Sequence, residues 1–255
     1  MNRRLLLFIL AALGLTGLML AVPGLALYRA FSGNIPLEDG RTFAAGRVTT
    51  VVDGYVACFL VDVGEGRFLL IDACQDSSVV RAALAAHDAT PADLEAVFLT
   101  HSHIDHVAGL AGLPDVPVRA LRAELPTLHG EAAHLGPLPA MMGIHDAGVR
   151  VTEPLEDGDR VRVGDATVEV FGVPGHTAGS AVYLVHGVLL VGDSSGMKTT
   201  GNMVGAPWVF SDDTEQNAAS MRALAARLAD RSDGIEAVVP AHTGPADGLT
   251  ALSDL

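Results

Sequence analysis

Seven residues at strand ends carry the chemistry of this sequence. His101-Ser102-His103-Ile104-Asp105-His106 places three histidines and one aspartate in six positions, directly after the apolar run Ala96–Thr100. The whole chain has ten histidines in 255 residues, so this loop concentrates ligand chemistry beyond what composition supplies. Neutral imidazole and carboxylate suit zinc and other first-row ions. A loop leaving a strand end can turn all four side chains into one pocket. Further donors occupy similar places. His176 sits in Pro174-Gly175-His176-Thr177-Ala178-Gly179-Ser180, Asp193 closes Val188–Gly192, and His242 follows Ala237–Pro240. A lone strand-terminal Asp is ordinarily a turn residue. The recurrence at strand ends builds a shared site on one edge of the sheets. Asp72 ends an earlier strand, Arg67–Asp72, in the same manner.

The positioning elements follow from hydrophobic period. Val48–Val52, Tyr55–Val63 and Arg67–Asp72 are β-rich, the last two flanking the turn Gly64-Glu65-Gly66. Ser77–His87 has helical spacing, with Val80, Ala83 and Leu84 on one face. Thr90-Pro91 reads as an N-cap with Pro at the first helical position. Strands are expected at Val149–Val151, Arg160–Val163, Thr167–Val173, Ala181–Val185, Val188–Gly192 and Ala237–Pro240. Asp213–Ala229 is amphipathic, with Ala218, Met221, Leu224 and Leu228 on its stripe. The hairpin Cys58–Asp72 is echoed by Val182–Asp193, each closing on an Asp and followed by Ser-Ser. The echo suggests two β-rich halves of one domain.

Composition bounds the function. With 16 basic and 30 acidic residues the formal charge is −14, and Lys198 is the sole lysine. A nucleic-acid partner needs cations along the phosphates, so none is expected. Arg3 and Arg4 precede an uncharged run from Leu5 to Leu27. In a helix that run is long enough to span a ~30 Å hydrocarbon core. We read residues 1–30 as an N-terminal apolar helix, a retained transmembrane anchor, with a cleaved signal peptide as the alternative. Residues 31–46 read as a linker and 47–255 as the functional domain. Both N-terminal readings put the domain outside the cytoplasm, either membrane-anchored or secreted. Cys58 and Cys74 are expected as buried free thiols, with one disulfide as the alternative in an oxidising compartment.

The ordered motifs His101-Ser102-His103-Ile104-Asp105-His106, His176, Asp193 and His242, with Asp72 ahead of them, resemble the metallo-β-lactamase fold superfamily over roughly residues 47 to 247. The resemblance implies an α+β fold, a four-layer αβ/βα sandwich. It implies that His101, His103 and His176 hold one metal, that Asp105, His106 and His242 hold a second, and that Asp193 bridges them. Asp72 would orient ligands rather than bind metal. The cofactors implied are two divalent ions, most readily Zn, with Fe or Mn as alternatives. A hydroxide bridging the two ions would attack an ester, lactone, thioester or phosphoester of a small-molecule substrate, and Asp105 would accept the proton of the attacking water. Ser102 carries no role beyond spacing in this reading.

Departures from known subgroups narrow the family. The commonest zinc β-lactamase subgroup has Cys where Asp193 stands. Glyoxalase II shares the metal pattern but continues into a basic helical extension, whereas 13 residues follow His242 here. A mononuclear iron thiol dioxygenase shares the first motif but uses fewer ligands, so His106 and His242 count against it. It stands as one alternative, and a non-catalytic metal-binding module as another. Oligomeric state is left open. His87 and His186 read as structural. His129, His134 and His145 fall in a Pro-, Gly- and His-rich segment, Pro114–Asp146, that can overhang the site. Met141, Met142, Trp208 and Phe210 are candidate pocket walls, with plain packing as the other use.

Overall fold

The computed structural model describes residues 24–254. The apolar run Leu5–Leu27, expected to form a membrane helix, lies almost wholly outside them. Among the described residues no helix is long and apolar enough to cross a membrane. Residues 24–31 are helical.

Fifteen strands follow among the described residues. The first sheet holds β1 (Thr42–Phe43), β2 (Val48–Asp53), β3 (Val56–Asp62), β4 (Phe68–Ile71), β5 (Leu94–Phe98), β6 (Val118–Leu121) and β7 (Glu153–Leu155), in that spatial order. It is antiparallel from β1 to β4 and parallel from β4 to β7. The second sheet has the order β15-β14-β11-β10-β9-β8, from β8 (Arg160–Val163), β9 (Ala166–Gly172), β10 (Ala181–Val185), β11 (Val188–Gly192), β14 (Ala237–Pro240) and β15 (Ala246–Asp247). β12 (Ser195–Met197) and β13 (Met203–Gly205) form a separate ribbon.

Period-2 alternation makes the layers. Along β4, Leu69 and Ile71 face the second sheet, while Phe68 and Leu70 face helix α1 (Ser77–Ala86) with its Val80 and Leu84. Along β10, Ala181, Tyr183 and Val185 face the first sheet. Val182 and Leu184 face the long helix Thr214–Leu228, with its Met221, Leu224 and Leu228. Strands buried on both faces are uniformly apolar, as β4, β10 and β11 are. The result is helix, sheet, sheet, helix, as the family resemblance implies. Tyr183 pins the two sheets together, its hydroxyl donating to Leu99 O at 2.6 Å and its ring meeting Phe98 edge-on at 5.5 Å.

The internal echo is structural. β3 and β4 pair antiparallel and β5 then joins β4 in parallel, just as β10 and β11 pair antiparallel and β14 joins β11 in parallel. Asp72 and Asp193 leave equivalent strand ends.

Three expectations are corrected. Val149–Val151 is not a strand; both valines pack on the outer cluster instead, and the edge strand is Glu153–Leu155. Its Pro154 lacks a ladder donor and is tolerated at an edge. On the long helix the stripe uses Asn217 rather than Ala218, because Asn217 Oδ1 accepts from the Ala206 N–H at 3.0 Å. Cys58 and Cys74 are not free thiols: they form a disulfide, with Cα atoms 5.3 Å apart. The hairpin register sets Phe59 opposite Ile71, which brings the two cysteines within reach of each other. Within the stretch read as a linker, β1 pairs with β2, and Asn34 bridges to Lys198.

Candidate metal centre

Each donor stands where a strand has just ended. His101 and His103 follow β5, and the short helix α2 (Ile104–Val107) carries Asp105 and His106. His176 follows β9, Asp193 follows β11 and His242 follows β14. All seven expected residues come together. His101, His103, His176 and Asp193 form one group, and Asp105, His106 and His242 form a second, with the ligand atoms of each group within 4.8 Å of one another.

Outward hydrogen bonds set the imidazole tautomers. Asp72 accepts from Thr100 N–H at 2.7 Å, from Thr100 Oγ1 at 2.8 Å and from His106 Nδ1 at 2.8 Å. Asp72 therefore meets His106 through Nδ1, on the side of the ring away from Asp193. Having donated to Asp72, the Thr100 hydroxyl accepts from His101 Nδ1 at 3.0 Å. Ser211 Oγ donates to Pro207 O and so accepts from His176 Nδ1 at 3.1 Å. Tyr55 O accepts from His242 Nδ1 at 2.7 Å. Four imidazoles therefore turn a bare Nε2 inward. His103 is reversed, with Nδ1 inward and Nε2 buried without a partner.

The inward nitrogens of His101, His103 and His176 stand 3.0 to 3.2 Å from one another. Three lone pairs aimed at one point do not satisfy each other. In a tetrahedral zinc site with bonds of ~2.0–2.1 Å, donors are separated by roughly 3.3–3.4 Å, close to this spacing. Asp193 lies between the groups: Oδ2 is 3.6 Å from His176 Nε2 and 3.1 Å from His242 Nε2, and Oδ1 is 3.2 Å from His106 Nε2. His106 Nε2 and Asp193 Oδ1 are nonetheless buried without hydrogen-bond geometry. These orphaned donors fit cations.

Electrostatics separates the two groups. Burial, reinforced by neighbouring imidazoles, holds His101 and His103 well below the usual histidine range. Burial likewise lowers His176, to about 4, although Asp193 opposes it. These three imidazoles are neutral at pH 7. Burial also disfavours charge on His106 and His242, but the carboxylates around them, Asp193 foremost, outweigh it and raise both. Asp193 is held well below its ordinary value: burial opposes its charge, and His242 and His106 overcome that.

One functional residue escaped the sequence reading. Glu124, fully buried, accepts from Ser102 N–H at 2.8 Å and Ser102 Oγ at 2.5 Å through Oε1. Through Oε2 it accepts from Thr177 Oγ1 and Gly179 N–H, both at 2.8 Å. One carboxylate thus ties the His101–His106 loop to the His176 loop, and Ser102, expected to do nothing but space its neighbours, is half of that tie. Gly179 is required there, since a Cβ would overlap the backbone nitrogen of Glu124. Of the overhanging histidines, His134 lies with its ring 4.6 Å from that of His103 and its Nε2 3.2 Å from Ser102 Oγ.

Two sheets back to back, with seven metal-type donors at the strand ends, define a class of metal-dependent proteins. The chain belongs to the metallo-beta-lactamase superfamily, which it matches over residues 51–242. It is 32% identical over 169 residues to a hydroxyacylglutathione hydrolase of Aeromonas hydrophila, covering 66% of this chain and 52% of that protein. It is 34% identical over 144 residues to one from Salmonella typhi, covering 56% and 47%. The chain thus spans about half the length of these curated relatives. Among solved structures, a B3 metallo-beta-lactamase with an active-site glutamic acid superimposes with a TM-score of 0.62 at 22% identity, over 89% of each chain. A metallo-beta-lactamase family protein of Thermus thermophilus gives 0.56 at 22% identity, over 81% of this chain and 76% of that one. At that identity the likeness is one of fold.

Proposed function

We propose that this protein is a metal-dependent hydrolase of an ester or thioester, working with two divalent ions, zinc in the first instance. The observation that carries the reading is the second trio. Asp105, His106 and His242 converge beside the first group across Asp193, as a two-ion site requires and a one-ion oxidase does not. His101, His103 and His176 would hold one ion, Asp105, His106 and His242 the other, and Asp193 both. When bound, such ions polarise the scissile carbonyl and lower the pKa of water.

The chain's own groups do the rest. Asp105 is the partly accessible carboxylate of the site and lines the cavity in front of it. Its Oδ2, 3.5 Å from His242 Nε2, is placed to take the proton of the attacking water. Asp72 and the Thr100 hydroxyl keep His106 and His101 in their ligating tautomers. Glu124 holds the two ligand loops at a fixed spacing. The hydroxyacylglutathione hydrolases among the relatives support a thioester.

The test is metal content of the purified full chain by elemental mass spectrometry, followed by an ester and thioester screen before and after chelation. Two equivalents and chelator-sensitive turnover are expected. One equivalent of iron with oxygen-dependent thiol turnover would overturn the reading.

We also propose an extracytoplasmic location. The Cys58–Cys74 disulfide supports it, since such bonds persist in oxidising compartments. A periplasmic-type reporter fused after residue 46 should be active on the far side of the membrane, and signal confined to the cytoplasm would refute the placement.

A further inference from the structure

The cavity in front of the donors is large and apolar. It measures about 1080 Å³ and takes in His103, Asp105, Asp193 and His242. Ligand pockets usually run to ~300–1,000 Å³, so this one exceeds what a two- or three-carbon acyl group needs. Its other walls include Phe31, Leu138, Met142, Val204 and Trp208. Met142 is 69% exposed and Trp208 51%, and the neighbouring Met141 and Ile144 are exposed as well. Unpartnered apolar side chains gathered at one mouth mark a binding surface. Phe31, at the end of the helix formed by residues 24–31, closes one side by meeting Phe210 edge-on at 6.1 Å.

The cations nearby do not suit a polyanionic substrate. Lys198, the chain's only lysine, lines the cavity, but its ammonium already donates to Arg29 O, Ala30 O, Ser32 O and Asn34 Oδ1 at 2.5–3.2 Å. An ammonium has three protons, so four backbone and amide oxygens consume it. Arg29 is left as the one guanidinium on the wall. A glutathione moiety would bring two carboxylates to it.

We infer that this cavity binds the apolar acyl chain of the substrate, so that the enzyme acts on medium- to long-chain acyl esters or thioesters. The inference rests on the hydrolase reading above for its scissile bond, and on the cavity alone for its chain.

Two measurements separate those supports. Trp208 is the only tryptophan of the chain, so intrinsic fluorescence reports occupancy of the cavity. Neutral 1-alkanols from four to ten carbons carry no carboxylate to engage the donors. Titrated into the full chain, they should give saturable fluorescence changes, each methylene tightening Kd up to about fourfold, which is ~0.8 kcal/mol. In parallel, kcat/KM for p-nitrophenyl esters should rise steadily from acetate to decanoate. Met142→Glu should flatten both series. Chain-length-dependent alkanol binding with no ester or thioester turnover would uphold the cavity and overturn the hydrolase reading. Turnover that does not depend on chain length, with no fluorescence response, would keep the hydrolase and overturn the acyl-chain inference.

Discussion

His106 Nδ1 lies 2.8 Å from Asp72 Oδ2, with both side chains fully buried. The contact decides which imidazole nitrogen is bare, and so which faces Asp193 and Asp105. Asp72 itself adopts a left-handed backbone conformation, φ 59°, which an aspartate tolerates better than most residues. Asp72→Asn replaces an acceptor with a group that donates from one side. Loss of such an orienting carboxylate typically costs 10–100-fold in metal affinity. We expect the loss to fall on the second ion, read by competition with a chromophoric chelator. Unchanged affinity for both ions would mean that His106 is oriented without Asp72.

Glu124 holds four donors from two loops. Glu124→Gln can accept through one atom only, and its amide nitrogen opposes a backbone N–H that needs an acceptor. A buried unsatisfied donor costs ~1–3 kcal/mol, so a loss of about 2–4 kcal/mol in urea unfolding is expected, together with weaker metal binding. If stability fell and metal affinity did not, Glu124 would be a packing element with no influence on the ligand geometry.

The seven donors were legible because histidine is scarce in this chain and strand ends could be read from apolar runs. The layers were legible for the same reason: alternation along β4 and β10 names both the inward and the outward face. Glu124 was not. Its partners lie 22 and 53–55 positions away, and nothing local distinguishes it from a surface glutamate. The disulfide was missed because two cysteines 16 apart meet only once the hairpin register is known. The edge strand at Glu153 was missed because a charged, proline-containing segment lacks the β-branched pattern that Val149 and Val151 offer.

The disulfide should be measurable as stability. A cross-link closing a loop of this size contributes ~3 kcal/mol, chiefly by restricting the unfolded chain. Cys58→Ser with Cys74→Ser should lower the unfolding free energy by about 2–4 kcal/mol. The unmodified protein, unfolded without reductant, should show no thiol by colorimetric titration; two reactive thiols would refute the bond.

The metal-free protein should weaken in mild acid. His176 titrates near 4 when folded and near ~6.5 when unfolded. Between those values the unfolded chain takes up a proton that the folded one refuses, so stability falls as pH drops through the window and is fully present above it. His101 and His103, also lowered, act in the same sense. His106 and His242, raised, are protonated in both states below ~6.5 and add no slope there. From about pH 6.5 to about pH 5 the His176 contribution alone is about 2 kcal/mol, at ~1.36 kcal/mol per unit. Urea midpoints of chelator-treated protein that do not change over this range would show that these imidazoles are protonated in the fold, contrary to the proposal that they bind metal as neutral groups.

Asp193 is the one carboxylate placed against both trios, with Oδ1 3.2 Å from His106 Nε2 and Oδ2 3.1 Å from His242 Nε2 and 3.6 Å from His176 Nε2. Removing it should do more than subtract one ligand. Without its charge, His106 and His242 lose the carboxylate that contributes most to keeping them charged. Asp105 is then the only carboxylate among the remaining donors, and no shared anion offsets repulsion between neighbouring ions. Asp193→Ala should therefore retain one ion or fewer and lose ester and thioester turnover by at least about 10²-fold, the scale on which removing one electrostatic stabiliser is felt. Asp193→Asn keeps the volume and tests the charge: it should bind the first ion through the three neutral histidines and fail at the second. Two retained ions with near-normal turnover in Asp193→Ala would refute the bridging role, and the two trios would then have to be treated as independent sites.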